Sequence, residues 1–267
     1  MRSDKIAILG AGNLGQAIAN GIVKKQLVDA SQVTVTRRDL TSLRYMEKNG
    51  FSLTQSNSDA VKNASIIMLC VQPQQLDVLL EEINKSLSKD KLIISVITGI
   101  SIQQIQAKIE SENPVVRAMP NTAIEIGESM TCLAFSESAL PFSDQVVNLF
   151  NAVGKSSIIE EKLMQAATVL GASGIAFVMR YLRAATQGGI QMGFDADDAQ
   201  FIAMQTAKGA ASILLEKGTH PENEIDRVTT PQGCTITGLN EMEHKGFSSA
   251  LIQGLMTSFR KIYDMDK

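Results

Sequence analysis

The chain has 267 residues, of which 44% are hydrophobic and 20% are charged, a composition typical of a globular protein with one large domain or two modest ones. A formal charge of −3 leaves no basic surplus for a phosphate backbone, so nucleic acid is not expected as a partner. The three cysteines are far apart and odd in number, which argues against a disulfide framework or a zinc site.

The first part of the chain alternates short apolar runs with amphipathic stretches, as strand–helix units around a parallel sheet do. Strands are predicted over residues 5–9, 33–36, 66–70, 92–97, 115–118, 130–135 and 156–159. Helices are predicted over residues 13–25 and 142–153, the second with Gly154 as its C′ residue. This order of elements predicts a doubly wound α/β domain.

A glycine-rich turn lies directly between the first predicted strand and the first helix. Its sequence is G-A-G-N-L-G. Gly10 allows a tight turn, Gly12 lets the backbone approach a pyrophosphate, and Gly15 lets helix and strand pack closely. The helix that begins at Asn13 and Leu14 offers free N–H groups and the positive end of its dipole. We therefore predict a dinucleotide-binding site.

The end of the second predicted strand distinguishes NAD from NADP. An NAD enzyme usually carries Asp or Glu there, which accepts a hydrogen bond from the ribose 2′-OH. This chain has Arg37 and Arg38 instead, and two guanidinium groups favour a 2′-phosphate. The sequence predicts NADPH as the cofactor and NADH as a weaker one, although both arginines could also be solvated loop charges.

After about residue 161 the β-rich runs stop, and the rest of the chain is predicted to be helical. Helices are expected over residues 163–193, 195–217 and 247–263. The pair His220-Pro221 fits the start of another helix. Residues 175–185 are apolar around most of the helix circumference, which favours cover by a partner subunit, although a central helix inside one subunit would also fit. The predicted domains are residues 1–161 and 162–267.

The sequence contains no segment that we expect to be a leader or a membrane span. The N-terminus goes directly into a strand and a glycine turn, so no cleaved leader is expected. The longest uncharged stretch, residues 163–179, contains Gly171, Ser173 and Gly174 and falls short of the roughly 20 apolar residues that a span requires. We expect a cytoplasmic protein.

Four segments later in the chain carry a more specific pattern. They are C-V-Q-P at residues 70–73, V-V-R-A-M-P-N-T at 115–122, A-S-G-I-A-F at 172–177 and V-T-T-P-Q-G-C-T-I-T-G-L at 228–239. Together they resemble the pyrroline-5-carboxylate reductase family, in which the last segment is the specific signature. The similarity runs in order from about residue 6 to about residue 255, nearly the whole chain.

The resemblance implies a Rossmann-type domain followed by an all-α dimerisation domain, with active sites between two subunits of a dimer or a ring of dimers. It implies reduction of the cyclic imine 1-pyrroline-5-carboxylate to proline by hydride transfer from NADPH, the last step of proline biosynthesis, without a metal. Beyond the glycine loop and the two arginines, the implied cofactor contacts are Val71, Gln72, Pro73, Met119, Pro120 and Asn121.

The resemblance also implies a substrate loop at the start of a helix, where backbone N–H groups receive the substrate carboxylate. The residues at the matching positions are Thr230, Gln232, Gly233, Cys234 and Thr235. Thr235 matches the family threonine whose hydroxyl meets the imine nitrogen, and we expect it to orient the substrate or relay a proton. Thr235 could instead serve only as a helix N-cap, and Asn121 could serve only to hold a turn.

The chain departs from the family pattern mainly around the substrate. Gln232 replaces a glycine and would be strained if that position requires a positive φ. Cys234 replaces threonine or alanine, and Gln72 replaces lysine. These changes leave open a reductase of a related cyclic imine, or a catalytically weak NADPH-binding regulatory homologue. A β-hydroxy acid dehydrogenase is disfavoured, because residues 163–193 lack the lysine that such enzymes use.

Overall fold

The computed structural model describes residues 4–265 and divides into two compact units. The first unit comprises the chain up to Ser173 together with the segment from Lys261 onward, and the second comprises Gly174–Arg260. The predicted division at residue 161 stays a prediction.

Eight strands among the described residues form one sheet in the first unit. They are β1 Ile6–Leu9, β2 Val33–Thr36, β3 Ser52–Thr54, β4 Ile66–Leu69, β5 Leu92–Ser95, β6 Val115–Met119, β7 Ser129–Phe135 and β8 Gly154–Ile158. Their spatial order is β3-β2-β1-β4-β5-β6-β7-β8. All neighbours pair in parallel except β6 and β7, which are antiparallel. The predicted doubly wound fold is confirmed.

The two faces of the sheet are covered by different helices. The helices of this unit are α1 Asn13–Lys24, α2 Arg44–Lys48, α3 Asn57–Lys62, α4 Leu76–Ile83, α5 Ile102–Gln106, α6 Ser143–Asn151 and α7 Met164–Ala167. Ile6 and Ile8 of β1 belong to one apolar cluster with residues of α1, whereas Ala7 and Leu9 belong to another with residues of α4. A strand buried on both faces must be apolar at every position, which explains the run I-A-I-L.

The prediction that Gly154 is the C′ residue of a helix is wrong. α6 ends at Asn151 with Ala152 as its C-cap, and Gly154 is the first residue of β8. Its φ is +152°, and a Cβ there would lie 1.9 Å from the carbonyl oxygen of Ser129. Glycine is required because β7 and β8 approach closely at this point.

The second unit is helical. Its helices are α8 Gly174–Gln191, α9 Ala196–Lys217, α10 Pro221–Val228, α11 Cys234–His244 and α12 Phe247–Met265, the last of which continues past Arg260. His220 is the N-cap of α10 and Pro221 is its first residue, as predicted. α8 and α9 approach closely, since a Cβ at Gly189 would lie 2.9 Å from the Cβ of Ala199.

The helix predicted over residues 163–193 is not one regular α-helix. A 3₁₀ turn at Glu161–Leu163 and α7 precede a π-helix at Thr168–Ser173, and α8 begins only at Gly174. A π-helix leaves backbone groups out of the i→i−4 pattern, and no sequence periodicity marks such a segment.

Much of the apolar surface of α8 is exposed in the single chain. Within the described part of the chain, its buried residues are Thr186 and Gly189, while Val178 and Met179 are more than half exposed. A central helix buried inside one subunit is therefore excluded. Within the helical run Glu161–Gln191, a window of 18 residues has a mean hydropathy of 1.4, which is long and apolar enough to cross a membrane by length and composition alone. The expectation that the chain has no membrane span stays a prediction.

Candidate dinucleotide and substrate sites

The glycine loop after β1 has the geometry that its spacing predicts. Gly10 has a φ of +101°, and a Cβ there would lie 2.6 Å from the carbonyl oxygen of Cys70. A Cβ on Gly15, in the first turn of α1, would lie 2.5 Å from the carbonyl oxygen of Gly10. Gly12 is different, because a Cβ there would have no heavy atom of the described residues within 4 Å. The open space at Gly12 is where a ligand can approach the backbone.

The N-terminus of α1 faces this space. Gly12 is its N-cap residue, and among the described residues no side chain caps the helix. The first N–H groups of a helix have no partner inside it, so those beginning at Asn13 and Leu14 can donate to an anion.

A cleft of about 580 Å³ opens at the carboxyl ends of β1, β2 and β4. Its lining includes Gly10, Gly12, Thr36, Arg37, Arg38, Asp39, Asn57, Val71, Gln72 and Glu82. β1 lies between β2 and β4, which follow it in the chain on opposite sides, so the strand order reverses here. Ligands of open α/β sheets bind at such a switch point. The cleft therefore brings together the glycines and both arginines.

Arg37 and Arg38 are exposed just beyond β2. The Nη1 of Arg37 donates a hydrogen bond of 3.0 Å to the carbonyl oxygen of Ala11, which holds this guanidinium against the glycine loop. Asp39, which the sequence analysis did not include, also lines the cleft. Its carboxylate accepts a hydrogen bond of 2.9 Å from the N–H of Thr41, and hydrogen bonding to Thr41 is the main cause of its lowered pKa. The two residues that directly follow β2 are thus cationic.

A second cleft of about 790 Å³ shares Gly12, Val71 and Gln72 with the first. Asn13, Leu14 and Pro73 also line it, as do residues 96–100, which follow β5 and were not predicted. Residues 96–100 could have been predicted to line a site from their position after a buried strand, because the carboxyl ends of parallel strands share one edge of the sheet. Gln72 begins a 3₁₀ turn, and its N–H donates to the side chain of Gln75.

Cys70 lines both clefts, but its thiol is poorly suited to act as a nucleophile. Burial raises the pKa of its thiol to about 12, so the reactive thiolate is not formed near neutral pH. Its Cβ lies 3.4 Å from where a side chain on Gly15 would begin, which is the contact of a small packing residue.

Met119, Pro120 and Asn121 are not among the described residues that line these two clefts. Met119 and Pro120 are buried at the end of β6. The side-chain oxygen of Asn121 accepts a hydrogen bond of 3.0 Å from the N–H of Ala123, and its Nδ2 donates one of 3.0 Å to the carbonyl oxygen of Gly171. Asn121 holds a turn, and contacts of all three residues with a cofactor stay a prediction.

The loop of residues 230–235 in the second unit contains the strain expected from its sequence. Gln232 has a φ of +59°, in the left-handed region that costs a non-glycine residue about 1 kcal/mol or more. The N–H of Gly233 donates a hydrogen bond of 2.9 Å to the carbonyl oxygen of Thr230 and closes the turn. A Cβ on Gly233 would lie 2.5 Å from the Oγ1 of Thr230. Two neighbouring positions thus favour glycine, and one of them holds glutamine.

The alternative that Thr235 is only a helix N-cap is wrong. The N-cap of α11 is Gly233, so Thr235 is the second residue of the helix. Thr235 and Cys234 are exposed, and no side chain of the described residues caps α11. The first N–H groups of α11 therefore have no partner inside the helix and no side-chain cap, and such groups can donate to a carboxylate. Among the described residues, no group of three or more His, Cys, Asp or Glu side chains could hold a metal ion.

Two family models match the chain. The model described as pyrroline-5-carboxylate reductase dimerisation matches residues 161–265. The model described as NADP oxidoreductase, coenzyme F420-dependent, matches residues 5–99.

Curated proteins and solved structures resemble the chain over nearly its whole length. Pyrroline-5-carboxylate reductase 1 of Dictyostelium discoideum is 48% identical over 96% of this chain, which spans about half (49%) of that relative's length. Pyrroline-5-carboxylate reductase 2 of the same organism is 43% identical over 96% of this chain and 91% of its own length. The structure of a pyrroline-5-carboxylate reductase from Coxiella burnetii superposes with a TM-score of 0.93 at 26% identity, covering 99% of each chain.

These similarities confirm the predicted family, fold class and class of enzyme, an oxidoreductase. With a relative at 43% identity covered almost completely, the chain belongs to the pyrroline-5-carboxylate reductase family.

Proposed function

We propose that this protein reduces 1-pyrroline-5-carboxylate to proline, with NADPH as the hydride donor. The observation that carries the proposal is the 43% identity to a curated pyrroline-5-carboxylate reductase over 91% of that protein's length. The exposed helix start beside Thr235 supports the substrate assignment, because it offers donors to a carboxylate next to a hydroxyl.

The cleft at the glycine loop fits a dinucleotide with a 2′-phosphate. Gly12 leaves room for a pyrophosphate at the uncapped start of α1, and Arg37 and Arg38 supply positive charge where the ribose would lie. The match of residues 5–99 to a family model of NADP oxidoreductases supports the same choice. When bound, NADPH would supply the hydride.

The substrate loop would bind the carboxylate and orient the imine. The N–H groups at the start of α11 would receive the carboxylate, and the Thr235 hydroxyl would hydrogen-bond to the ring nitrogen and fix its distance from the nicotinamide. The left-handed Gln232 keeps the turn that brings Gly233 to the N-cap position, so the loop retains its shape despite the missing glycine.

We also propose that a second subunit covers the exposed apolar side of α8. Val178, Met179 and Tyr181 are exposed on this helix, and the dimerisation family model spans it completely. The same interface accounts for the apolar run Glu161–Gln191 without a membrane. The start of the dimerisation model at residue 161 supports the predicted domain division. A cytoplasmic location is proposed, and the free thiols of Cys70, Cys132 and Cys234 fit a reducing compartment.

The experiment that tests this function follows NADPH oxidation and proline formation with purified protein and 1-pyrroline-5-carboxylate. Thr235→Val should lower kcat/KM for the imine by roughly ten- to a thousandfold and leave NADPH affinity unchanged. Thr257→Val, which removes an exposed hydroxyl from α12, is the matched control and should behave as the unmutated protein. NADPH binding without turnover would favour a regulatory homologue, and turnover only with another cyclic imine would favour a related reductase.

A further inference from the structure

A chain of hydrogen bonds connects α4 with the glycine loop inside the 580 Å³ cleft. The carboxylate of Glu82 accepts from the backbone N–H of Asn57 at 2.9 Å and from its Nδ2 at 2.8 Å. The Oδ1 of Asn57 accepts from the hydroxyl of Thr36 at 2.6 Å. The Oγ1 of Thr36 in turn accepts from the N–H of Gly10 at 3.2 Å. All four residues line the cleft.

The carboxylate fixes the direction of every bond in this chain. An ionised carboxylate can only accept hydrogen bonds, so the amide NH₂ of Asn57 must point at Glu82. The amide oxygen of Asn57 must then point at Thr36, whose hydroxyl proton is used in that bond. The Thr36 oxygen is left as an acceptor for the N–H of Gly10.

The series of hydrogen bonds that begins at Glu82 ends at Gly10, where the glycine loop has a positive φ. Gly10 has a φ of +101°, and its N–H is held by the side chain of Thr36. The next N–H, that of Ala11, donates to the carbonyl oxygen of Thr36 at 2.8 Å. Thr36 is 2% exposed, so water does not compete for these bonds. The orientation of two consecutive peptide groups in the loop thus depends on one residue.

We propose that Glu82 is a positioning residue of the dinucleotide site: through Asn57 and Thr36 it orients the peptide of Gly10, and so sets the glycine loop for the pyrophosphate. This inference rests on the proposed dinucleotide site. This positioning role differs from a direct effect of the Glu82 charge on the cofactor. Glu82 lines the same cleft as Arg37 and Arg38, and a carboxylate acting by charge alone would repel a 2′-phosphate.

Positioning of the glycine loop and direct charge repulsion predict opposite effects of Glu82→Gln on the affinity for NADPH. The two Asn57 donors meet different oxygens of Glu82, and a glutamine keeps one of these oxygens and places a donating NH₂ at the other position, so one of the two hydrogen bonds loses its acceptor. Either one hydrogen bond between Asn57 and residue 82 is lost, or the Asn57 amide turns and presents its NH₂ group to Thr36. The glycine loop would lose its fixed orientation in both cases. Because the pyrophosphate is common to both cofactors, NADPH and NADH should weaken by the same factor.

The test measures the Kd of NADPH and of NADH without substrate, by titration of cofactor fluorescence. For Glu82→Gln we expect both Kd values to rise by about tenfold, with their ratio unchanged. Glu81→Gln removes the same charge from the neighbouring exposed position of α4, outside this chain of hydrogen bonds, and should leave both values unchanged. Tighter binding of NADPH with NADH unchanged would overturn the proposal, as would two unchanged Kd values.

A double-mutant cycle tests whether Glu82 acts on the glycine loop through Thr36. Thr36→Val keeps the branched shape in the buried site but removes the hydroxyl, so the chain from Glu82 no longer reaches Gly10. In that background Glu82→Gln should add less than about a twofold change. A full additional effect would contradict action through Thr36. Thermal unfolding of each variant separates loss of binding from loss of fold. If the unmutated protein bound neither dinucleotide, the proposed function itself would be wrong, and this role with it.

Discussion

Replacing Gly12 by alanine should abolish tight dinucleotide binding while leaving the protein stable. Gly12 has a φ of −73°, which alanine adopts without strain, and a Cβ there would contact no heavy atom of the described residues within 4 Å. Alanine is a poorer N-cap than glycine by about 0.5–1 kcal/mol, and the reduced entropy of the unfolded chain offsets a similar amount. We therefore expect the free energy of unfolding to change by less than about 0.5 kcal/mol.

The loss of affinity should be much larger than this change in stability. The added methyl group would occupy the space through which a pyrophosphate reaches the N-terminus of α1. Loss of one charge-assisted hydrogen bond costs roughly 2–3 kcal/mol, which corresponds to about 30- to 150-fold in the Kd of NADPH. Fluorescence titration gives the Kd, and thermal unfolding gives the stability.

Gly15→Ala is the matched contrast. Its Cβ would lie 2.5 Å from the carbonyl oxygen of Gly10 and 3.2 Å from the Cγ2 of Ile8, so strand and helix must separate. Overpacking of this kind costs about 1–3 kcal/mol, and this variant should lose stability together with affinity. A Gly12→Ala protein that binds NADPH as tightly as the unmutated one would refute the placement of the pyrophosphate.

Three further predictions concern charge, thiol reactivity and assembly. Replacing Arg37 and Arg38 together by alanine should remove a preference for NADPH over NADH of at least about tenfold, and equal affinities before mutation would contradict the assignment. Iodoacetamide should modify exposed Cys234 well before Cys70, whose raised pKa keeps it a thiol, as mass spectrometry of the labelled peptides can show. Sedimentation equilibrium at micromolar concentration should show no stable 28.8 kDa monomer, and an active monomer would exclude the proposed interface.

Local features of the dinucleotide site could be predicted from the sequence. The spacing of Gly10, Gly12 and Gly15 is set by one turn between a strand and a helix, so neighbouring residues determine it. The strain at Gln232 was expected because the family has glycine there, and the φ of +59° agrees with that expectation. Both are properties of a few consecutive residues.

Features that depend on distant residues could not be predicted. The chain from Glu82 through Asn57 and Thr36 to Gly10 joins residues 21 to 26 positions apart at each step. No short pattern marks such a set, because its members meet only when two strands and two helices are in place. The prediction that Gly154 ends a helix failed for the same reason, because no neighbouring residue in the sequence indicates the close approach of β7 and β8.

By the proposed function, this chain transfers a hydride from NADPH to a pyrroline ring. The most direct measurement supplies NADPH deuterated on the transferred position of the nicotinamide C4, together with 1-pyrroline-5-carboxylate, and examines the proline formed by mass spectrometry. The proposed function predicts proline that carries the deuterium, formed in an amount equal to the NADPH consumed. Unlabelled proline, or NADPH consumption without proline, would contradict it.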